Sequence, residues 1–565
     1  MTGGAEQRLT LVLLWHMHQP EYRDYASGEF RLPWVYLHAL KDYSDMAWHL
    51  ENHPGVHAVV NFSPVLLEQL EDYADQFASG RLRDPLLRLL ARPAGEPIAE
   101  EERALILERC FPPEHADMAQ PFAAYESLRV LYKALKSQDP GSHHHLSDQY
   151  FYDLLVWHHL RWTGETVRRA SPIVTRLMAI GTRFSYADRK ALFDLAGEVV
   201  RGVLPRYAKL AATGRVELST TPHHHPLAPL LISFETAREA MPGVVLPASP
   251  GYPGGYGRVR SQLESAIAVH ARRFGAPPAG IWPAEGAISK AFLELVAASG
   301  CAWSASSSQV LRNSVQGASH YRPYRFTAGA RALTLFFRDE RLSDLIGFEY
   351  RKWNSHDAAA NMIAELEAIA AAPGNEAPVV SVMLDGENCW EHYAYNGYYF
   401  LTALYKALES HSRIRTVTCR GVLADPPAAP ATLERVVAGS WVHGNFSTWI
   451  GSPDKNHAWD LLCSAKQTFD VVAASGRLAA EQLAAAYKQL GACEASDAFW
   501  WFGSANYAAT VRDFDRLFRA ELAQLYRLLE LPVPEALSQP IGAAARRRPG
   551  EGEGAMRRAL PAGSA

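Results

Sequence analysis

The sequence predicts an α/β barrel close to the (β/α)8 kind but one strand short, with a helical insertion and a C-terminal helical region. Three observations point there. Seven short apolar runs end in polar clusters, longer helical patterns fall between them, and the polar clusters hold carboxylates and imidazoles. The runs are LTLVLLW (Leu9 to Trp15), HAVVNF (His57 to Phe62), RVELST (Arg215 to Thr220), GIWPAE (Gly280 to Glu285), CAWSAS (Cys301 to Ser306), ALTLFF (Ala332 to Phe337) and PVVSVMLD (Pro378 to Asp385). Runs of this length, apolar on both faces, read as buried parallel strands. SQLESAIAVHARRFG before the fourth run stops at Gly275, and SKAFLELVAASG after it has Ser289 as N-cap and Gly300 as stop. Strands alternating with helices imply right-handed βαβ units.

Residues 75–210 break this rhythm and read as a helical insertion between the second and third strands. Residues 1–400 are therefore expected to form the barrel with its insertion. Residues 401–540 are expected to form a helical domain completing the site, and residues 541–565, rich in Gly, Pro, Ala and Arg, a disordered tail.

Composition narrows the function. Of 565 residues, 48% are hydrophobic and 21% charged, and the net charge is −4. That balance gives no reason to expect nucleic acid or an anionic membrane as partner. The six cysteines are scattered with no CxxC pair, which suits free thiols in a reducing compartment. With no secretory signal and no membrane-length apolar run, the expected location is the cytoplasm. Trp recurs beside His, Asp and Glu in LLWHMHQP, IWPAEG and CWEHY. Apolar ring faces beside polar hooks are what a sugar ring needs.

The polar residues fall at the C-terminal ends of the predicted strands, where barrel enzymes build their sites. His16 and His18 end the first, Glu217 lies in the third with His223, His224 and His225 after it, and Glu285 ends the fourth. Asp339 and Glu340 follow the sixth, and Asp385 and Glu387 close the seventh. Two carboxylates on opposed strand ends suit glycoside cleavage: one protonates the leaving oxygen, the other attacks the anomeric carbon or activates water. Their separation, about 5–5.5 Å for retention or about 6.5–9.5 Å for inversion, cannot be read from sequence. The acid needs a raised pKa, and Asp385, preceded by apolar SVML and close to Glu387, fits that need.

In order along the chain, WHMHQP (from Trp15), GRVELSTTPHHHPLAPLL (from Gly214), GIWPAEGAIS (from Gly280), MLDGENCWEHY (from Met383) and WVHGNFSTWIGSPDKNHAW (from Trp441) resemble the five conserved regions of glycoside hydrolase family 57. The resemblance implies an incomplete (β/α)7 barrel followed by a helical region, retaining action on α-glucans, and no metal or other cofactor for the chemistry. It implies Glu285 as nucleophile and Asp385 as acid/base. The HQP and WPAEG forms are more like the α-amylase and amylopullulanase branch than the branching-enzyme branch.

The remaining candidates are substrate contacts, each with a plainer alternative. His16 and His18 alternate with Trp15 and Met17, so both face one side and suit sugar hydroxyls; a hydrogen-bonded core histidine is the alternative. Three consecutive histidines chelate poorly, and His225 is the one expected to face the site. Glu217 could hold a sugar hydroxyl, orient the nucleophile, or be a buried structural partner. Glu387 could bind hydroxyls, tune Asp385, or be solvated. Trp282, Trp449 and Trp459 could stack on glucose or belong to the core, and His443 in the fifth segment is a further contact. Trp500 and Trp501 read as packing. Competing classes are a 4-α-glucanotransferase or branching enzyme on the same site, a zinc-dependent deacetylase or α-mannosidase-like enzyme using His16, His18 and Asp385, and a non-catalytic glucan-binding protein.

Overall fold

The computed structural model describes residues 8–111, 122–139, 141–503, 506, 508–542 and 556–558. Most of the expected tail, residues 541–565, lies outside them.

Among the described residues ten strands form, in chain order: β1 (Leu9–Met17), β2 (Ala58–Phe62), β3 (Val216–Thr220), β4 (Gly280–Ile281), β5 (Trp303–Ser307), β6 (Tyr324–Ala328), β7 (Arg331–Arg338), β8 (Val379–Asp385), β9 (Ile414–Thr416) and β10 (Ala431–Thr432). Seven of them, β1, β2, β3, β4, β5, β7 and β8, pair in parallel and close into a barrel, and each coincides with a predicted run. The closing seam is thin. β7 and β8 share one register pair, Arg338 with Ser381, reinforced by the Arg338 Nε donating to the Met383 carbonyl at 2.7 Å. The three strands not anticipated are peripheral: β6 pairs antiparallel with β7, while β9 pairs parallel with the start of β1 and β10 parallel with β6. β9 and β10 are too short to carry a periodic signal.

Parallel register aligns one row of side chains across the barrel. His16 on β1 pairs with Asn61 on β2 and with Asp385 on β8, and Asn61 pairs with Ser219 on β3. Register partners in a parallel pair share a face, so this polar row lies on one level of the barrel. β4 is pinched to two residues because Gly280 meets the Trp303 indole: a Cβ there would lie 2.1 Å from the ring.

Among the described residues eight α-helices run between β2 and β3, the longest Tyr186–Ala212, capped by Ser185 and Asp188. They pack on one apolar core with β1, β2 and β8. Helices Pro453–Ser475, Ala480–Cys493 and Ala508–Leu528 follow the barrel. Their core residues, including Trp459, Leu490 and Leu522, are continuous with Ile281, Leu293 and Leu335 of the barrel. Among the described residues no helix is long and apolar enough to cross a membrane.

Candidate active site

The strand ends open into a cleft lined by His16, His18, Gln19, Pro20, Tyr22, His225, Glu285, Asp385, Glu387, Asn388, Trp441, Asp497, Trp500, Trp501 and Phe514. Barrel residues form its floor, and residues from the chain after β10 form one wall.

Glu285 follows β4 with φ 58° and ψ 23°, in the left-handed region. Outside glycine this costs roughly 1–2 kcal/mol, and it is held by the surroundings. The Glu285 carbonyl accepts from Trp441 N at 3.0 Å, Ile288 and Gly439 exchange backbone hydrogen bonds, and Trp441 Nε1 donates to Glu285 Oε2 at 3.2 Å. His225 is likewise left-handed, with φ 58°. Strain at two cleft residues is what a pre-organised site stores.

Ser496 and Asp497 reach the cleft from the helical region. Ser496 Oγ lies 3.0 Å from Glu285 Oε1 and 3.0 Å from His225 Nδ1, and Asp497 lies 3.1 Å from His18 Nε2. A buried clamp fixes their position. Glu494 accepts from Arg258 Nε at 2.6 Å and Nη2 at 2.9 Å, from Tyr252 Oη at 2.6 Å and from Gln262 Nε2 at 2.5 Å. Two residues on, the Ser496 amide donates to the His225 carbonyl at 3.0 Å.

The carboxylates share one electrostatic field. Burial, then the charges of Asp497 and Asp385, push Glu285 up to about 8. Burial pushes Asp385 up to about 6, against the Asn388 amide that donates to it at 2.7 Å and the nearby His18. Burial and Asp385 push Glu387 well above the ordinary carboxyl range. Its Oε1 accepts from His18 N at 3.0 Å, Tyr43 Oη at 3.1 Å and Gln19 Nε2 at 3.4 Å, while its buried Oε2 has no partner among the described residues.

Of the residues singled out from sequence, Glu285, Asp385, His16, His18, His225 and Glu387 come together in this cleft. Glu217 does not. It lies within the barrel, accepting from Trp303 Nε1 and from the Arg420 amide, each at 2.7 Å, so its structural alternative is the one the geometry supports. Trp282, Trp449 and Trp459 are wholly buried. Trp282 packs between His16 and Trp441, Trp449 behind Trp500, and Trp459 on Phe499. They support the cleft wall rather than line it. His443, half-buried with φ 58°, is also absent from the lining. Trp500 and Trp501, read as packing, do pack, on Trp449 and on Phe514, and they also line the cleft. Asp497 and Ser496 were missed altogether.

His18, His225 and Asp497 bring three potential donor atoms within 4.8 Å of one another. The two imidazoles stack at 3.7 Å between centroids and 16° between planes. Nitrogen lone pairs lie in the ring plane, so in stacked rings they run side by side and do not converge on an ion. His18 Nδ1 is also engaged by Ser63 at 2.8 Å. The residues fit a hydrogen-bonding array better than a zinc centre of converging ligands.

Carboxylates gathered at the C-terminal mouth of a barrel, beside aromatic rings, are an arrangement suited to carbohydrate chemistry. The chain belongs to glycosyl hydrolase family 57, whose family model matches residues 12–430, and it is an enzyme of the glycoside hydrolase class. Its fold is similar to that of the family 57 branching enzyme from Thermococcus kodakaraensis (16% identity, 93% of this chain and 90% of that one, TM-score 0.56). It is also similar to the family 57-type branching enzyme from Pyrococcus horikoshii (18%, 97% and 98%, 0.55) and to an α-amylase from Thermotoga maritima (13%, 93% and 97%, 0.52). No curated protein matches the sequence.

Proposed function

We propose that this enzyme cleaves α-glucans with retention through a covalent glycosyl-enzyme intermediate. Asp385 protonates the glycosidic oxygen as Glu285 attacks the anomeric carbon. Asp385 then takes the proton of the incoming water or hydroxyl. The observation that carries this is the pair itself: Glu285, buried, and Asp385, half-buried, line one cleft, and the Asp385 charge helps raise Glu285. His16 and His18, which line the cleft beside them, suit sugar hydroxyls. The primary reading is hydrolysis of α-1,4 linkages in the manner of an α-amylase or amylopullulanase, with α-1,6 linkages as a second target. The six free, buried cysteines suit work in the cytoplasm.

A second reading is transfer to another sugar, as in a branching enzyme or 4-α-glucanotransferase. Tyr22, Trp441, Trp500, Trp501 and Phe514 favour it, since ring faces hold an acceptor sugar where water would otherwise enter. Incubation with maltoheptaose, amylose and pullulan separates the two. Hydrolysis releases reducing ends, first as the α-anomer by proton NMR. Transfer redistributes chain lengths with few new reducing ends, and branching creates α-1,6 linkages. Unchanged glucans would sink both readings, and a first-formed β-anomer would sink retention.

A further inference from the structure

The row of inward side chains on β1 and β2 continues beyond Asp385 and His16 to residues that do not line the cleft. Asn61 Oδ1 lies 2.7 Å from His16 Nδ1, and Asn61 Nδ2 donates to Ser219 Oγ at 2.9 Å. His16 Nε2 lies 3.0 Å from His225 Nε2. His225 Nδ1 lies 3.0 Å from Ser496 Oγ, itself 3.0 Å from Glu285 Oε1. Every member but Glu285 is nearly or wholly inaccessible, and Asn61 and Ser496 are wholly so.

Asn61 sets the direction of this chain. Its Oδ1 only accepts, so His16 carries its proton on Nδ1 and presents Nε2 as an acceptor. His225 then donates from Nε2 and presents Nδ1 as an acceptor. Ser496 donates to that Nδ1, and its oxygen is left to accept from a protonated Glu285. All four hydrogen bonds are satisfied with both histidines neutral. They remain satisfied if the Glu285 proton moves to Ser496 Oγ while the Ser496 proton moves to His225 Nδ1. The O–H of Glu285 and the O–H of Ser496 break, and a new O–H on Ser496 and an N–H on His225 form. The products are a carboxylate and an imidazolium, with no change in total charge.

We propose that Ser496, His225, His16 and Asn61 form a proton relay that keeps the Glu285 proton in the resting enzyme and stores it on His225 when the nucleophile must be ionised. This rests on the reading of Glu285 as nucleophile. Burial and the neighbouring His18 and His16 hold His225 well below the ordinary imidazole range, and Glu285 is held high, so the proton rests on the carboxyl. Positive charge developing at the anomeric carbon favours the carboxylate and drives the proton outward. The other titratable groups facing the relay are His18 from β1, Asp385 from β8 and Asp497 beside Ser496. Ser496 and Asn61 are positioning residues, acting through their neighbours. The retained proton also balances charge: Asp385 becomes anionic as Glu285 is esterified, and the imidazolium compensates it.

The test has two independent readouts. In the full-length enzyme, nitrogen-15 NMR of labelled histidine, assigned with His16→Gln and His225→Gln, should show His16 as the Nδ1–H tautomer and His225 as the Nε2–H tautomer. The opposite tautomer at either ring overturns the relay. In kinetics, the acidic limb of kcat/KM should lie below pH 8 in the wild type, because Glu285 need not lose its proton to solvent. Ser496→Ala should raise that limb by about one pH unit or more, lowering kcat/KM about 10-fold at pH 6 and far less at pH 9. Ser496→Thr, which keeps the hydroxyl, should restore the wild-type limb. Asn61→Asp, placing a carboxylate on His16, should lower the limb. An unmoved limb in folded Ser496→Ala contradicts the relay. A fully active Glu285→Gln would instead remove the nucleophile reading, leaving the tautomers to decide the relay alone.

Discussion

Replacing Glu285 with Gln should stabilise the enzyme while abolishing turnover, and by an amount that depends on pH. Burial and the charges of Asp497 and Asp385 raise this carboxyl from 4.5 to about 8. It therefore binds its proton more tightly folded than unfolded. Its contribution to stability is full below pH 4.5 and is lost as pH rises through about 8. At about 1.36 kcal/mol per factor of ten, the loss is under about 1 kcal/mol at pH 5, about 3 at pH 7 and approaching about 5 above pH 8. Gln mimics the protonated acid: its amide can donate to Ser496 Oγ and its oxygen accept from Trp441 Nε1, the two partners Glu285 has. The variant should recover most of that loss. With an unfolding entropy of about 2.1 cal/mol/K per residue, about 3 kcal/mol over a chain of this length raises Tm by roughly 2–3 °C at pH 7. The assay is thermal unfolding of both proteins at pH 5, 7 and 9. A gain that does not grow with pH, or a net loss at pH 9, would refute the electrostatic reasoning.

Other perturbations test the supports of the site. Glu494→Ala strands buried Arg258 and should cost about 3–5 kcal/mol; because Ser496 and Asp497 depend on that clamp, kcat should fall with little change in far-UV circular dichroism. Trp441→Phe keeps the ring but removes the donor to Glu285 Oε2. It should lower kcat/KM about 10- to 150-fold, at about 1.5–3 kcal/mol for a hydrogen bond to a charged group, and move the acidic limb upward; an unchanged profile would show that the indole N–H does nothing for the nucleophile. Gly280→Ala places a methyl 2.1 Å from the Trp303 ring and should cost more than about 3 kcal/mol, read as a lower urea midpoint or lost soluble expression.

All seven barrel strands were legible as short, mostly apolar runs, least interrupted in β1 and β8 and broken by Glu217 in β3 and by serines in β5, and their polar ends marked the cleft. Glu285, Asp385, His16, His18 and His225 were legible for the same reason: they terminate or follow such runs. Burial decided the misjudged tryptophans. Trp282, Trp449 and Trp459 have the same local neighbours a sugar platform would have, and only tertiary packing separates them from Trp500 and Trp501. Ser496 and Asp497 carried no signal, because they reach Glu285 through the distant Arg258–Glu494 clamp. Asn61 carried a signal that could have been used: a lone amide inside AVVNF is a buried polar group and must find partners. Glu217 carried the same signal, and its partners are Trp303 and Arg420.

The roles of the two carboxylates are tested most directly by azide rescue with an activated aryl α-maltooligoside. Glu285→Ala should lose turnover, and azide should restore it as the β-glycosyl azide, having attacked in place of the nucleophile. Asp385→Ala should give the α-glycosyl azide, formed by azide attack on a glycosyl ester at Glu285. Reversed stereochemistry between the two variants would exchange their roles, and an α-azide from Glu285→Ala would contradict Glu285 as the nucleophile.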